Sequence, residues 1–439
     1  MALLACLVVV AVRGFPREHP VDLYYTWGLP IAQRHHASNL NPYADPAAYG
    51  EFLAKLAADS GSATLQFISA GWAVRTGAKI EPLGTPLLYS AGAPLPEDFD
   101  AARALFKLLQ HAALVSAICL LVRLRSRNLP AALAFASFVG LSFSPFAQDV
   151  FVGNVNALQL FALAGLTYIS ARRLYDRHRI LDYLWPAALA IFVLLKPNTL
   201  VIAAGLAIHY LLTRGRGQFV VAIASGLAGT ALAFAYTGWH FGDPGVWCDW
   251  YRYVSASQAG LLTYPSTQGN VSLPLLFAER STTMGVLGYG TVIAAMLALA
   301  FVVAATRTGK RPDLLAPTAR LLAQDAGFVL SAGILATLAT APLVWQHYLL
   351  WAIVPIIWFF RFDGRWGVAT WCVIASFFGF FRPMRYHLDN ETYLALYPVL
   401  VLSWVPLVVA MLAYVAMQRQ RLEGSVPSQA QSFGTRKSV

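Results

Sequence analysis

The stretch VLGYGTVIAAMLALAFVVAA at residues 286–305 contains no charged residue. At a rise of about 1.5 Å per residue, a helix of that length crosses the hydrocarbon core of a bilayer. Residues 401–417 also lack charge, and the whole 439-residue chain is 58% hydrophobic and only 12% charged. Ordinary soluble domains carry roughly 25% charged residues, so the composition predicts an integral membrane protein.

The positions of the basic residues predict the orientation of these apolar runs. The net charge of +11 could indicate nucleic-acid binding, but the arginines and lysines lie in short segments between apolar runs. That pattern is typical of cytoplasmic loops, and we predict no nucleic-acid partner. With every basic cluster in the cytoplasm, about 12 transmembrane helices are expected. They lie near residues 1–12, 104–124, 129–147, 151–171, 183–196, 197–213, 217–238, 284–306, 325–341, 343–360, 366–381 and 392–417.

Segments 13–103 and 239–283, with the shorter 382–391, then lie on the extracytoplasmic side. The two long segments are rich in Tyr and Trp, which favour a membrane interface, so we expect short amphipathic helices on the outer leaflet. The aromatic residues expected there include Tyr24, Tyr25, Trp27, Tyr43, Trp72, Tyr89, Trp239, Trp247, Trp250, Tyr251 and Tyr253.

The predicted fold is an all-α polytopic membrane bundle over residues 1–418. Residues 419–439, rich in Ser, Gln and Gly, are predicted to form a disordered cytoplasmic tail. The four cysteines are scattered along the chain, which predicts neither a metal cluster nor a disulfide framework.

Residues of the first outer segment could carry chemistry. Asp22 is followed by Tyr24, and a carboxylate beside aromatic residues at a membrane interface can act as a general base. The alternative is an ordinary solvated aspartate. Further on, Asn41-Pro42-Tyr43 predicts a turn whose tyrosine could stack on a sugar.

Amides and a lysine follow in the apolar part of the chain. Asn154 and Asn156 enter an apolar helix near its outer end, where they could bond either sugar hydroxyls or neighbouring helices. Lys196 precedes Pro197 at the tip of a predicted helical hairpin. A cation at that place suits the phosphate of a lipid, or it extends to the lipid headgroups.

The last candidates lie in the second half of the chain. Asn270 precedes the eighth predicted span, and Trp345, His347 and Tyr348 follow the turn between the ninth and tenth. His347 could stabilise a phosphate or transfer a proton, or it could be a hydrogen-bonded structural residue.

The predicted topology places candidates from separate segments at one membrane face, where a base for an acceptor and cations for a leaving group complement each other. These are Asp22, Asn156, Lys196, Asn270 and His347.

The order of these motifs resembles glycosyltransferase family 87, the polyprenol-phosphate-mannose-dependent α-mannosyltransferases with the GT-C membrane fold. The resemblance runs from Asp22 to about Tyr348 and is carried by the motifs quoted above. The sequence departs from the family pattern at Gly153-Asn154-Val155-Asn156, where Gly-Gln-x-Asn is often found. The first predicted span is also unusually short and could be an incomplete first helix or a signal-like segment, so the given start could differ from the natural one.

The resemblance implies an inverting transfer of a mannosyl residue from a polyprenyl-phosphate-sugar donor to an outer-leaflet glycolipid or glycan acceptor. Asp22 would be the general base, and Lys196 and His347 would bind the donor phosphate. It implies a cell-membrane enzyme with an extracytoplasmic active site, and neither metal nor other cofactor is expected. The residues expected to bind substrates are Tyr24, Tyr43, Asn154, Asn156, Asn270, Trp345 and Tyr348.

The main alternative is a polytopic transporter or flippase of lipid-linked sugars, since a dozen spans with both termini in the cytoplasm is a common transporter layout. Transporters of this size often show internal repeats and charges near the midplane. Here the sequence shows no repeat, and the polar candidates gather at one face. A polymerase of cell-envelope glycans and a structural scaffold also remain open, as does the choice between mannose and arabinofuranose.

Overall fold

The computed structural model describes residues 20–35, 41–76, 82–126, 128–214, 217–261, 321–341, 344–360, 365–379 and 405–424. Within these ranges the chain forms helices and short connections, which confirms the all-α prediction for this part of the chain. The predicted spans near 1–12 and 284–306, the short outer segment 382–391 and Asn270 lie outside the described residues.

The helices fall into three groups along the chain. The first group is α1 (Val21–His35), α2 (Pro46–Asp59), α3 (Ala63–Thr76), α4 (Pro86–Ser90) and α5 (Phe99–Arg125). The second is α6 (Leu129–Ser142), α7 (Ser144–Val152), α8 (Asn156–Ala171), α9 (Leu174–Arg177), α10 (Leu181–Leu195), α11 (Leu200–Arg214), α12 (Gly217–Phe241) and α13 (Val246–Leu261). The third is α14 (Ala326–Thr340), α15 (Ile353–Phe359), α16 (Arg365–Gly379) and α17 (Val405–Gly424), and 3₁₀ helices occur at Pro197–Thr199 and Gln346–Ala352.

Two of the described helices, α5 and α12, are long and apolar enough to cross a bilayer. A third candidate is the pair α6 and α7, which are bent by 60° at Phe143. Other predicted spans form apolar helices of 15 or 16 residues, such as α8, α10 and α14, shorter than the roughly 20 residues of a typical span. The described residues therefore support two or three spans, and the predicted count of about 12 is not confirmed.

Packing of the apolar helices forms one large core around α5, α8, α11, α14 and α15. On one side α10 packs along α12. Gly229 allows this close approach, because a Cβ atom there would lie 2.7 Å from the Ala187 carbonyl oxygen.

The predicted helical hairpin of residues 183–196 and 197–213 is formed by α10 and α11. Arg214 at the end of α11 forms an ion pair with Asp182 at the start of α10, with 2.6 Å between Nη2 and Oδ1. This ion pair joins the two open ends of the hairpin. Lys196 and Pro197 therefore lie at the opposite end, at its tip.

The described part of segment 13–103, the predicted first outer segment, forms α1 to α4, and several of its Tyr and Trp side chains pack inside the protein. Tyr24, Tyr25, Trp27, Tyr43 and Tyr89 are each at most 6% exposed, and they form a second core with residues of α5, α12 and α13. The prediction that these side chains face the membrane interface is wrong. Burial of most of α1 against the other helices removes its aromatic residues from the surface.

The second outer segment gives a mixed result. Trp239 and Tyr251 are exposed, at 78% and 67% of their surface, as expected for interface residues, whereas Trp247 is buried. At the other end of the chain, α17 continues to Gly424 and so includes residues 419–424 of the predicted tail. That stretch contains Gln, Arg, Leu and Glu, all good helix formers.

Candidate active site

The start of α1 and the connection between α7 and α8 meet at a carboxylate. Asp22 lies in the first turn of α1. The side-chain amide of Asn154 donates a hydrogen bond to it, with 2.5 Å between Nδ2 and Oδ2. The two residues are 132 positions apart in the sequence, so this contact depends on the tertiary fold.

Gly153 explains why Asn154 can reach α1. It ends α7 in the left-handed conformation, with φ of 69°, which favours glycine. A Cβ atom at this position would lie 2.6 Å from the Cβ atom of Leu23 and 3.2 Å from its backbone nitrogen. Glycine therefore lets the connection pass directly beside the backbone of α1, next to Asp22.

Lys196 adds a cation to the site. The residue ends α10 in an extended conformation, as expected before a proline. Its Nζ atom donates to Oδ1 of Asn154 at 3.0 Å and to Oδ1 of Asn156 at 2.8 Å. It also lies 4.5 Å from the ring centroid of Tyr348, a favourable cation–π distance. Asn154 thus connects the carboxylate of Asp22 to the ammonium group of Lys196.

The 3₁₀ helix at Gln346–Ala352 forms the wall behind these amides. Asn156 donates through Nδ2 to the His347 carbonyl oxygen at 3.2 Å and accepts from Trp351 Nε1 through its own carbonyl at 3.4 Å. The ring of Tyr348 stacks on Trp351, with 5.9 Å between centroids, and meets the His347 ring edge-on at 4.8 Å. The buried Nε2 of His347 has no hydrogen-bond partner among the described residues.

The surroundings of Asp22 act on its pKa in opposite directions. Burial raises the pKa of the carboxyl group, whereas the hydrogen bond from Asn154 and the positive charge of Lys196 lower it. The net effect is a pKa above the ordinary value for aspartate. A carboxylate with a raised pKa is a stronger base than a solvated one, and so accepts a proton from a hydroxyl group more readily.

Two buried polar residues that the sequence interpretation missed support the connection. Gln110 of α5 donates through Nε2 to the carbonyl oxygens of Asn154, at 2.7 Å, and Asp149, at 3.1 Å. Asp149 is fully buried, and its Oδ2 accepts from the Ala157 backbone nitrogen at 3.2 Å, in the first turn of α8. It also interacts electrostatically with Lys196. The sequence signal that could have indicated this site was Gln110, a polar residue inside the predicted span 104–124.

Tyr24 and Tyr43, two of the residues predicted to bind substrate, lie in the second core described above. The Tyr24 side chain is hydrogen-bonded to Ser69 of α3. Tyr43 donates its hydroxyl proton to the Gly84 carbonyl oxygen at 2.7 Å and stacks on Tyr89. The hydrogen bonds of both side chains therefore go to protein groups of this segment.

The turn predicted at Asn41-Pro42-Tyr43 links the two long outer segments. Asn41 donates through Nδ2 to Oδ2 of Asp243 at 2.7 Å and to Oδ2 of Asp249 at 2.9 Å. Its Oδ1 accepts from the Tyr43 backbone nitrogen at 3.0 Å. Asn41 consequently holds the start of α13 against the first outer segment.

Trp345 directly precedes the 3₁₀ helix, and its carbonyl oxygen accepts from the Tyr348 backbone nitrogen at 2.9 Å. Asn270 lies outside the described residues. Within the described ranges, no cluster of three or more His, Cys, Asp or Glu side chains could hold a metal ion.

The arrangement has clear chemical consequences. It places one buried carboxylate, with a raised pKa, and one lysine on opposite sides of a single amide. Such a site can take a proton from a hydroxyl group and stabilise an anion nearby.

A comparison with protein families places the chain among glycosyltransferases. The model of glycosyltransferase family 87 matches residues 82–332, more than half of the chain. The matched region contains Asn154, Asn156 and Lys196, whereas Asp22 and His347 lie outside it. A search of curated proteins found no match.

Proposed function

Because the chain belongs to glycosyltransferase family 87, we propose that it transfers a mannosyl residue from a polyprenyl-phosphate donor to an outer-leaflet glycolipid or glycan. A membrane glycosyltransferase follows from the family together with the apolar helices. The mannosyl donor, the acceptor, the mechanism and an extracytoplasmic active site in the cell membrane are the proposal.

The observation that carries the mechanism is the shared amide of Asn154. It bonds Asp22 on one side and Lys196 on the other, so the base and the cation are held at a fixed separation. In an inverting transfer, the acceptor oxygen attacks the anomeric carbon on the face opposite to the departing phosphate. A base and a cation held at one site are the two charged groups that such a transfer uses.

Asp22 is the proposed general base. As the bond between the acceptor oxygen and the anomeric carbon forms, the hydroxyl proton moves to the Asp22 carboxylate. The raised pKa of this carboxyl group favours that transfer. The Asn154 hydrogen bond orients the carboxylate throughout.

Lys196 is the proposed partner of the leaving group. As the bond between the anomeric carbon and the phosphate oxygen breaks, negative charge accumulates on the phosphate, and a nearby ammonium group stabilises it. The hydrogen bonds from Nζ go to the neutral amides of Asn154 and Asn156. An incoming phosphate can therefore form a charge-assisted hydrogen bond with the lysine.

His347 and Tyr348 complete the proposed phosphate side. The Tyr348 ring faces Nζ of Lys196 and limits the directions in which the ammonium group can point. The unpartnered Nε2 of His347 supplies a second nitrogen for a phosphate oxygen. We propose that both residues orient the donor, with Asn156 fixing the segment that carries them through its bond to the His347 carbonyl.

The test is transfer of radiolabelled mannose from polyprenyl-phosphate-mannose into the lipid fraction of membranes containing the full chain. Wild type is compared, at matched abundance, with Asp22→Asn and with the control Asp59→Asn, which alters an exposed residue. Transfer that is lost only with Asp22→Asn supports the proposal. Equal transfer by all three chains would refute the role of Asp22 as general base. Transfer from an arabinofuranosyl donor but not from the mannosyl donor would refute mannose as the transferred sugar.

A further inference from the structure

Asp149 of α7 and Gln110 of α5 form a buried pair beside the candidate active site. Both residues are completely buried. The Gln110 side chain donates through Nε2 to Oδ2 of Asp149 at 3.4 Å, which is longer than a typical N–H···O hydrogen bond. The same Nε2 atom also donates to the backbone carbonyl oxygens of Asp149 and Asn154.

Each member of this pair has a side-chain oxygen without a donor. Oδ1 of Asp149 and Oε1 of Gln110 are buried and have no hydrogen-bond partner in the part of the chain that the structure describes. Oδ2 of Asp149, in contrast, accepts from the Ala157 backbone nitrogen at 3.2 Å. A buried oxygen without a donor is costly, and the cost is greater when the group is charged. One further hydrogen atom between the two side chains would satisfy both oxygens.

A proton on Asp149 supplies this hydrogen atom. In the neutral acid, the hydroxyl group at Oδ1 can donate to Oε1 of Gln110, while Oδ2 stays the acceptor for Nε2 of Gln110 and for the Ala157 nitrogen. The acid and the amide then pair with one hydrogen bond in each direction. An ionised Asp149 cannot form this pair, because a carboxylate is an acceptor only.

The hydrogen bonds of Lys196 agree with a neutral Asp149. Lys196 interacts electrostatically with Asp149, yet its Nζ atom donates to the neutral amides of Asn154 and Asn156. A buried carboxylate beside a buried ammonium group is normally stabilised by a charge-assisted hydrogen bond between the two. Here the ammonium group bonds amides, and Oδ1 of Asp149 stays without a donor.

We propose that Asp149 is a neutral carboxylic acid at neutral pH, and that its proton keeps the charge of Lys196 available for the donor phosphate. The role toward the phosphate rests on the proposed function, whereas the protonation of Asp149 rests on the hydrogen bonds. An ionised Asp149 would offset the charge of Lys196 and repel a phosphate. Asp149 is thus a positioning residue, since it acts through Lys196 and through the start of α8.

Other titratable groups lie on the elements packed around Asp149. They are Asp22 of α1, Lys107 and His111 of α5, Lys196 at the hairpin tip, Cys372 of α16, and His347 and Tyr348 of the 3₁₀ helix. The charge of Lys196 favours an ionised Asp149, whereas the charge of Asp22 favours the neutral acid. Because these two effects oppose each other, the hydrogen-bonding pattern carries the assignment.

The first test measures protonation by infrared spectroscopy of the purified full chain at neutral pH. The carbonyl stretch of a protonated carboxylic acid differs in frequency from the stretches of a carboxylate. We expect wild type to show a protonated-acid band that is lost in Asp149→Asn and kept in the control Asp59→Asn, which alters an exposed residue. Loss of carboxylate absorption alone in Asp149→Asn would overturn the inference. This readout needs no sugar transfer, so it stays informative if the proposed function is wrong.

The second test compares two uncharged replacements by unfolding in detergent. Asparagine has the shape of the neutral acid, and it can donate to Gln110 and accept from the Ala157 nitrogen, so Asp149→Asn should keep the wild-type unfolding midpoint. Asp149→Leu removes these hydrogen bonds and should lower the midpoint. If Asp149→Asn fails to fold or is as unstable as Asp149→Leu, a buried charge is required there and the inference is overturned. A wild-type midpoint for Asp149→Leu would also overturn it.

The third test measures binding of sugar-free polyprenyl phosphate to the full chain in vesicles at neutral pH. Asp149→Leu should weaken binding about tenfold, because the segment that carries Asn156 is no longer held, and Asp149→Asn should restore it to within about twofold of wild type. Binding by Asp149→Asn that is about tenfold tighter, as expected when a neighbouring negative charge is removed, would overturn the inference. Binding as weak as that of Asp149→Leu would do the same.

Lys196→Gln separates this inference from the proposed function. It should weaken binding of polyprenyl phosphate at least about tenfold, because a charge-assisted hydrogen bond is lost. Equal binding by wild type and Lys196→Gln would refute the proposed phosphate site and, with it, the role of the Asp149 proton toward the phosphate. The infrared band then decides on the proton itself.

Discussion

Asn154 donates a hydrogen bond of 2.5 Å to the carboxylate of Asp22, and the two residues approach only because Gly153 lets the α7–α8 connection lie against α1. The same amide accepts from Lys196 at 3.0 Å. One neutral side chain therefore sets the distance between a carboxylate and an ammonium group. If the site carries out sugar transfer, both charges depend on this amide for their position.

The first prediction concerns that amide. Asn154→Ala should lower kcat by about 100-fold, because a displacement of about 1 Å in a catalytic group can have an effect of that size. The measurement is steady-state mannosyl transfer at saturating donor. Asn128→Ala is the control, since Asn128 accepts from Ala131 to cap α6 and its loss should reduce stability by about 1 kcal/mol without changing kcat. Similar kcat values for the two variants would contradict the role of Asn154.

The second prediction separates backbone strain from a steric contact. Gly153→Ala combines a left-handed backbone with a Cβ atom 2.6 Å from Leu23, so it should lower the free energy of unfolding by about 2–4 kcal/mol and reduce transfer. Gly61→Ala has a similar φ of 67° but no atom within 4 Å, so strain alone should cost about 1–2 kcal/mol. Unfolding in detergent and transfer activity are measured for both. If both variants lost the same stability and Gly153→Ala kept full transfer activity, the contact with Leu23 would be unimportant.

Much of the candidate site could be predicted from the sequence. Asn154, Asn156 and Lys196 lie near the ends of apolar runs, and the orientation of those runs by basic clusters placed them on one side. The structure joins them in one hydrogen-bonded group. The tip at Lys196 and Pro197 was also visible in the sequence, because proline restricts the residue before it.

Other features could not be predicted, for physical reasons. Tyrosine and tryptophan have an apolar body and a polar tip, so they suit both a membrane interface and a buried hydrogen-bonded position. Composition alone could not show that Tyr24 and Tyr43 are buried. Similarly, an acid between two apolar runs resembles a loop residue until its partners are known, which is why Asp149 was missed.

The third prediction concerns pH. Burial raises the pKa of Asp22, and the proposed base works as the carboxylate, so kcat/KM should fall as pH drops through a value above about 3.9, the usual aspartate pKa. In Lys196→Gln, the positive charge that lowers the pKa of Asp22 is lost. The acidic limb of this variant's pH profile of kcat/KM, measured on its residual activity, should therefore move to higher pH. The control Lys55→Gln changes an exposed residue and should leave the limb unmoved. A limb that moves to lower pH in Lys196→Gln would contradict the assignment of the limb to Asp22.

The fourth prediction tests whether Gln110 acts through Asn154. Gln110→Leu removes the donor to the Asn154 carbonyl and should lower the free energy of unfolding by about 1–3 kcal/mol, the usual cost of a buried unsatisfied group. It should also reduce kcat, because the peptide that carries the catalytic amide is no longer held. Thr337→Val is the control, since Thr337 bonds a carbonyl of its own helix and its loss should leave kcat unchanged.

A double-mutant cycle distinguishes positioning from general destabilisation. If Gln110 acts only by placing the Asn154 side chain, Gln110→Leu should have little further effect on kcat once Asn154→Ala has removed that side chain, because the two changes then affect the same interaction. The stability loss of Gln110→Leu should persist in the double variant, since the backbone carbonyl of residue 154 remains. Both quantities are measured on the four chains of the cycle. Additive effects on kcat would mean that Gln110 influences the reaction by a route independent of Asn154.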